Sequence, residues 1–333
     1  MNVFFITEAS SRVGFGHISR CISLNNAFKE KDINPRFIVK GDESIEQLIG
    51  SNKIYLLNWL ENTEKLYDLI NNADVVIIDS YNYDERIVKI LDENVKLPVF
   101  IDDNNILTYP RGIVINSSVH AEDIDYLNNP EIDYLLGAQY AMLKDTFWDP
   151  PNITLKEEIR TLIVTLGIGD HHNLTPKLIE FLNEKVPEIK KQIVIGKHFK
   201  NIEEIKKVKD ETCELIYFPD AKEMKNLMLN SDIAISSGGQ TSYELMALNI
   251  PSIIIAVVDN QIDSVKKLNE IGISIYAGWW EQEDLFDVVL QSIKTLTPLE
   301  NRRKMIIKSQ KFIKPDGSRD VVNFIIKKLG KSK

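Results

Sequence analysis

Two short turns hold the residues whose types and spacing could do chemistry. The first, Gly14-Phe15-Gly16-His17, follows an apolar run from Val3 to Thr7. Glycines there permit positive φ and close approach of the backbone to a ligand, and free N–H groups at the start of the next helix favour phosphate or developing negative charge. His17 would open that helix, whose positive end disfavours imidazolium and leaves a neutral ring able to act as a base. The same residues also fit a plain tight turn with His17 at a helix cap. The dinucleotide fingerprint G-x-G-x-x-G fails because its third glycine position is Ser19, so NAD is disfavoured and no cofactor is expected.

The second turn, Ser237-Gly238-Gly239-Gln240-Thr241-Ser242-Tyr243-Glu244, follows a run from Asp232 to Ser236. Gly238 and Gly239 can admit a diphosphate to a helix start, and Glu244 can accept hydrogen bonds from ribose hydroxyls. Thr241 and Glu244 are equally spaced as a capping box, which would satisfy backbone donors and nothing more. The next strand end carries Asp259-Asn260-Gln261, side chains suited to sugar hydroxyls.

These turns need a scaffold, and the alternation of short β-rich runs with helical patterns predicts parallel sheets of the doubly wound kind, in which ligands sit at strand carboxyl ends. Strands are expected near Val3–Thr7, Arg36–Val39, Ile54–Leu57, Val75–Asp79, Val99–Ile101 and Ile113–Asn116, then near Thr161–Thr165, Gln192–Ile195, Glu214–Tyr217, Asp232–Ser236 and Ser252–Val257. Pro150-Pro151 can continue neither a helix nor a central strand, so domains are expected over residues 1–149 and 150–333. A length of 333 residues suits two cores. Two helices broken at Lys314-Pro315-Asp316-Gly317 end the chain, and the last can cross back to the first domain.

A net charge of −9 gives a field that repels polyanions, and no basic patch opposes it, so nucleic acid is not an expected partner. No apolar run reaches the length of a membrane span, and Cys21 and Cys213 make neither a disulfide framework nor a CxxC site. A cytoplasmic setting is expected. Asp170-His171-His172, with Asp79, Asp102 and Asp103 at other strand ends, invites comparison with metal phosphoesterases, but the first turn lacks their aspartate-rich motif, and for the histidines a polar loop before a helix is the preferred reading. Trp279-Trp280, after an expected strand Ile273–Tyr276, is read as packing.

Taken in order, Gly14-x-Gly16-His17-x-x-Arg20-Cys21, Asp79-x-Tyr81-x-x-Asp84, Ile101-Asp102-Asp103, Leu135-Leu136-Gly137-x-x-Tyr140-Ala141-x-Leu143, Gly238-Gly239-x-Thr241-Ser242-x-Glu244 and Asp259-Asn260-Gln261 span most of the chain. In this series the chain resembles the GT-B nucleotide-sugar enzymes, in particular the UDP-2,4-diacetamido-2,4,6-trideoxy-β-L-altropyranose hydrolase family and its relatives in spore-coat polysaccharide synthesis. The resemblance implies a GT-B α/β fold, two Rossmann-like parallel-sheet domains facing a cleft. It implies cleavage of the UDP-sugar to UDP and free sugar, a step toward pseudaminic acid, without a metal. By matching position, His17 would activate water. Gly14, Gly16, Arg20, Tyr81, Asn260 and Gln261 would lie against the substrate, with Tyr81 and Asn260 on the sugar. Gly238, Gly239 and Thr241 would meet the diphosphate, Glu244 the ribose, and backbone near Met224 the uracil, with Gln240 and Ser242 also against the substrate. Ile6-Thr7-Glu8-Ala9-Ser10 stands where the family usually carries Arg-x-Asp-x-Ser, and Ser80 where it often has histidine. A transferase using the same donor, or a non-catalytic nucleotide-sugar binding protein, fits the same motifs.

Overall fold

The computed structural model of the chain describes residues 1–9, 15–42, 45, 52–105, 107–126 and 129–331. Two compact units emerge: Met1–Asp145 together with Asp316–Lys333, and Thr146–Pro315. The second unit thus ends at Pro315, because the last helix has its packing partners in the first.

In the first unit, the strands are β1 (Val3–Ala9), β2 (Arg36–Gly41), β3 (Ile54–Leu56), β4 (Ala73–Asp79), β5 (Val95–Ile101), β6 (Gly112–Asn116) and β7 (Ile132–Leu136). They pair in parallel in the order β3-β2-β1-β4-β5-β6-β7. β1 is buried at every position, as expected of a strand covered on both faces, which explains its apolar run from Val3 to Ile6. The helices are α1 (Gly16–Lys29), α2 (Thr63–Ile70) and α3 (Glu85–Asn94). Asp84, one of the motif residues above, caps α3 by accepting from the Arg86 and Ile87 amides. Strand β7 was not among the expected strands: Ile132-Asp133-Tyr134-Leu135-Leu136 is only partly buried and lacks a β-branched run.

The order reverses direction between β1 and β4. Connections on the β2 side and on the β4 side lead away from each other there, leaving a crevice at the carboxyl ends of these two strands. Thr7 pairs in register with Asp79, so the chain leaves both strands at one level, and the Thr7 hydroxyl donates to the Asp79 carbonyl at 2.9 Å. Trp59, fully buried, donates its indole N–H to the Thr7 carbonyl at 3.0 Å and braces the same strand end.

The second unit has β8 (Thr161–Thr165), β9 (Lys190–Ile195), β10 (Cys213–Tyr217), β11 (Ile233–Ser237), β12 (Ser252–Ala256) and β13 (Ile275–Trp279), ordered β10-β9-β8-β11-β12-β13. Its helices are α4 (Leu174–Lys185), α5 (Ile202–Val208), α6 (Ala221–Leu229), α7 (Gln240–Ala247), α8 (Ile262–Glu270), α9 (Leu285–Leu296) and α10 (Leu299–Phe312). Strand β13 runs further than expected and takes in Trp279. Trp280 stacks on His172 at 3.6 Å between ring centroids and packs on the core, so the tryptophan pair is packing within this unit. Asp170 accepts from the Leu174 and Thr175 amides and so holds the start of α4. Among the described residues no group of three or more His, Cys, Asp or Glu is arranged to hold a metal ion, and no helix is long and apolar enough to cross a membrane.

Helix α11 (Gly317–Lys331) closes the chain on the first unit. Val321, Val322 and Ile325 are fully buried there, and Arg319 forms a two-pronged pair with Glu30 at the end of α1. Ile325→Ala is therefore expected to destabilise the first unit by about 2–5 kcal/mol, the usual cost of truncating a core isoleucine. Urea unfolding followed by circular dichroism checks it; a variant within about 0.5 kcal/mol of the parent would show that α11 is not part of that core.

Candidate active site

The crevice between β1 and β4 holds a connected cluster. His17 lies in the first turn of α1, with Phe15 as the cap residue and no side chain capping the helix start. Gly16, beside it, is helical and not in the left-handed region. A Cβ there would meet no atom of the described residues within 4 Å. Gly14 lies outside the described residues.

The imidazole is 8% exposed, and its Nδ1 lies 2.6 Å from Oδ1 of Asp79, the last residue of β4 and itself fully buried. Nδ1 also lies 3.1 Å from Nη2 of Arg20, which can only donate, but the contact to the carboxylate, which can only accept, is the shorter; with the proton on Nδ1, a neutral ring keeps its lone pair on Nε2. Among the described residues Nε2 has no hydrogen-bond partner. The assignment follows from the hydrogen-bond geometry and matches the way a carboxylate fixes tautomer and orientation in acyl-transfer triads.

Arg20 sits one helical turn beyond His17, on the same face. Its Nε and Nη2 donate to the two oxygens of Asp79 at 2.9 and 2.7 Å, and Nη1 donates to Oδ2 of Asp103 at 2.5 Å. The guanidinium thus bridges two protein carboxylates. Tyr81, 48% exposed, donates its hydroxyl to the same Asp103 oxygen at 3.0 Å and packs its ring edge-on against His17, 4.5 Å between centroids. Burial alone would raise the Asp103 carboxyl, but Arg20 and the Tyr81 hydroxyl hold it below its ordinary value. Burial, then the charge of Asp103, pushes the Tyr81 phenol up, so it remains a donor.

Beside this cluster runs a second network. Glu8, 2% exposed at the end of β1, accepts from the Ser80 hydroxyl at 2.6 Å and from the Asn82 amide at 2.7 Å. The sequence names Asp79 as a motif residue and Glu8 as a departure from the hydrolase pattern, but assigns neither a role beside His17. A usable signal existed for Asp79: a charged residue ending an otherwise apolar strand is costly unless something meets it.

In the second unit, α7 begins at Gln240 with Gly239 as cap residue and no side-chain cap. The Thr241–Glu244 capping box therefore does not form, since Thr241 lies inside the helix. Ser242 donates its hydroxyl to the Gly239 carbonyl at 2.6 Å, and Glu244 is buried on the inner face of α7. Gly238 is required by packing: a Cβ would come within 2.3 Å of Val265 on α8. Gln261 lies against both glycines and accepts from the Val257 amide at 3.0 Å, while Asn260 is exposed. Met224 lies in the first turn of α6, and its N–H is already donated to the Asp220 carbonyl at 2.8 Å. Each unit thus gathers its own expected residues at the carboxyl ends of its strands.

Two parallel-sheet α/β units built in this way define a GT-B architecture. The crystal structure of Acinetobacter baumannii MurG superposes with a TM-score of 0.67 at 12% identity, covering 98% of this chain and 100% of that one. Residues 170–318 match the glycosyltransferase family 28 C-terminal domain. The chain is 27% identical over 77% of its length to an uncharacterised protein of Methanocaldococcus jannaschii, MJ1062, and spans 55% of that protein. It is 24% identical over 83% of its length to the UDP-2,4-diacetamido-2,4,6-trideoxy-beta-L-altropyranose hydrolase of Campylobacter jejuni, covering 98% of that protein.

The lowered Asp103 carboxyl gives a testable pH dependence. A carboxylate whose folded pKa lies below its unfolded value contributes stability that is complete above the unfolded pKa, about 3.9, and is lost as pH falls through the folded value. The stability advantage of the parent over Asp103→Asn, read from urea midpoints, is expected to be full at pH 7 and to shrink below about pH 4. An advantage independent of pH would contradict the ion pair with Arg20.

Proposed function

We propose that the protein is an enzyme that hydrolyses a UDP-activated 2,4-diacetamido-2,4,6-trideoxyhexose to UDP and free sugar, in the biosynthesis of pseudaminic acid or a related sugar acid. The observation that carries this reading is the His17–Asp79 pair, which leaves Nε2 as a base at the crevice. The extent of the match to the Campylobacter hydrolase, nearly that protein's whole length, supports the same reading.

In the proposed reaction Nε2 of His17 takes a proton from water as the water oxygen bonds to the anomeric carbon. The bond from that carbon to the phosphate oxygen breaks, and its electron pair leaves with UDP. Asp79 stabilises the imidazolium formed, and Arg20 holds Asp79 in place. Tyr81 and Asn260 contact the sugar. Gly238, Gly239, Gln240, Thr241 and Ser242 receive the diphosphate at the uncapped start of α7, where backbone N–H groups and the helix dipole supply counter-charge without a metal. Glu244 meets the ribose, and the uracil lies near the first turn of α6 through groups other than the Met224 amide. The match to a glycosyltransferase family 28 domain favours one second reading, transfer of the sugar to an acceptor hydroxyl by the same base.

Incubation with the UDP-sugar in ¹⁸O-labelled water, read by mass spectrometry, separates these. Hydrolysis at carbon places the label in the free sugar and not in UDP, needs no acceptor, and survives EDTA. Release of UDP only with an added acceptor would establish the transferase. His17→Ala and Asp79→Asn are each expected to lower kcat about 10²–10⁴-fold. Unchanged turnover in His17→Ala would sink the base assignment.

A further inference from the structure

A cleft of about 700 Å³ opens beside the His17–Asp79 pair, at the carboxyl ends of β1, β2 and β3 and the loop after β4. Glu8, Lys40, Asn58 and Asn82 supply its polar lining, and Leu57 and Leu60 its apolar lining. Glu8 is the deepest of the polar groups, and one of its oxygens, Oε1, is fixed by the Ser80 and Asn82 donors. The Asn82 backbone N–H donates in turn to the Ser80 hydroxyl oxygen at 2.9 Å, while its side-chain amide donates to Glu8, so the carboxylate is held by a closed network. Its other oxygen, Oε2, receives nothing from the described residues. Lys40 is the register partner of Glu8 across β1 and β2, and it too makes no ion pair among the described residues. The Asn58 side-chain oxygen is buried without a hydrogen bond, a cost that a ligand donor would relieve.

This lining selects a chemistry. A buried carboxylate on the wall repels phosphate, so the cleft does not suit the diphosphate. It offers an acceptor, a cationic donor and leucine side chains together. An acetamido group presents the complement: an N–H for Glu8, a carbonyl oxygen for Lys40 and a methyl for the leucines. A hydroxyl in its place would fill only one of these contacts. We infer that this cleft is the subsite that reads an N-acylamino substituent of the sugar, and that Glu8, held by Ser80 and Asn82, is its specificity-determining residue.

The inference rests on the nucleotide-sugar reading above, and a binding experiment keeps the two apart. In a His17→Ala background, which removes turnover, calorimetry measures the affinity of three probes. These are UDP, the UDP-2,4-diacetamido-2,4,6-trideoxyhexose, and its analogue with hydroxyls in place of both acetamido groups. With Glu8 present, the diacetamido sugar is expected to bind about 10- to 100-fold tighter than the hydroxyl analogue. Glu8→Gln is expected to bring that ratio to within about threefold while UDP affinity stays unchanged. Lys40→Ala, at a half-buried position outside the Glu8 network, is expected to lower the ratio at least about threefold. A ratio unmoved in both variants, or a parallel fall in UDP affinity, overturns the inference. If the parent enzyme binds these sugars but does not hydrolyse them, the hydrolase reading fails and the subsite does not.

Discussion

A carboxylate buried at the end of a strand is the constraint on which the first unit is organised. Asp79 is fully enclosed, and a charge in that position is tolerated only with partners that meet both of its oxygens. Arg20 meets them as a fork, and His17 adds a third contact from the same helix face. Those partners come from α1, and Asp103 comes from just beyond β5, so one group ties α1, β4 and β5 together at the crevice. Removing one partner from such a buried pair typically costs about 3–5 kcal/mol, because the other charge is left uncompensated. The orientation of the histidine is therefore a consequence of a structural requirement that the fold must satisfy in any case.

The balance of charge in this cluster favours the proposed chemistry. Two carboxylates, Asp79 and Asp103, share one guanidinium, so the cluster carries one more negative charge than positive before His17 takes up a proton. Gaining that proton brings the group to neutrality. The start of α1 and the Asp79 carboxylate act on the ring in opposite senses, the helix dipole against a positive charge and the carboxylate in favour of one. Tyr81 contributes by geometry: its exposed ring stands edge-on to the imidazole while its hydroxyl stays bound to Asp103. It presents a rigid surface beside the base and draws no proton from it.

Much of the fold was legible because its strands are short, apolar and buried, and because prolines and glycines punctuate them. Thr161–Thr165 is found as expected, and most other strands differ only at their ends. Strand β7 escaped because its half-buried residues carry no clear period. The two motif turns were legible as strand-to-helix turns. Their internal logic was not, since it depends on contacts distant in the chain. His17 and Asp79 are 62 residues apart, and Glu8 and Ser80 are 72 apart. Spacing between Thr241 and Glu244 suggested a capping box, yet the helix starts at Gln240, and this shift of register turns Glu244 inward. Even the departures from the hydrolase pattern look different in three dimensions. Glu8 and Ser80, which stand at two of those positions, are bonded to each other.

The glycines carry this contrast furthest. Gly16 opens α1 and Gly238 lies just before α7, each following a buried strand in sequence, and neither adopts the left-handed conformation that usually explains such a residue. Gly238 has no room for a side chain because Val265 already occupies the space, so packing alone accounts for it. At Gly16 no atom of the described residues occupies that space. A residue with no side chain leaves the backbone at the start of α1 uncovered by any side chain of its own. It does so one residue before the histidine whose proton is already fixed on the far side of its ring.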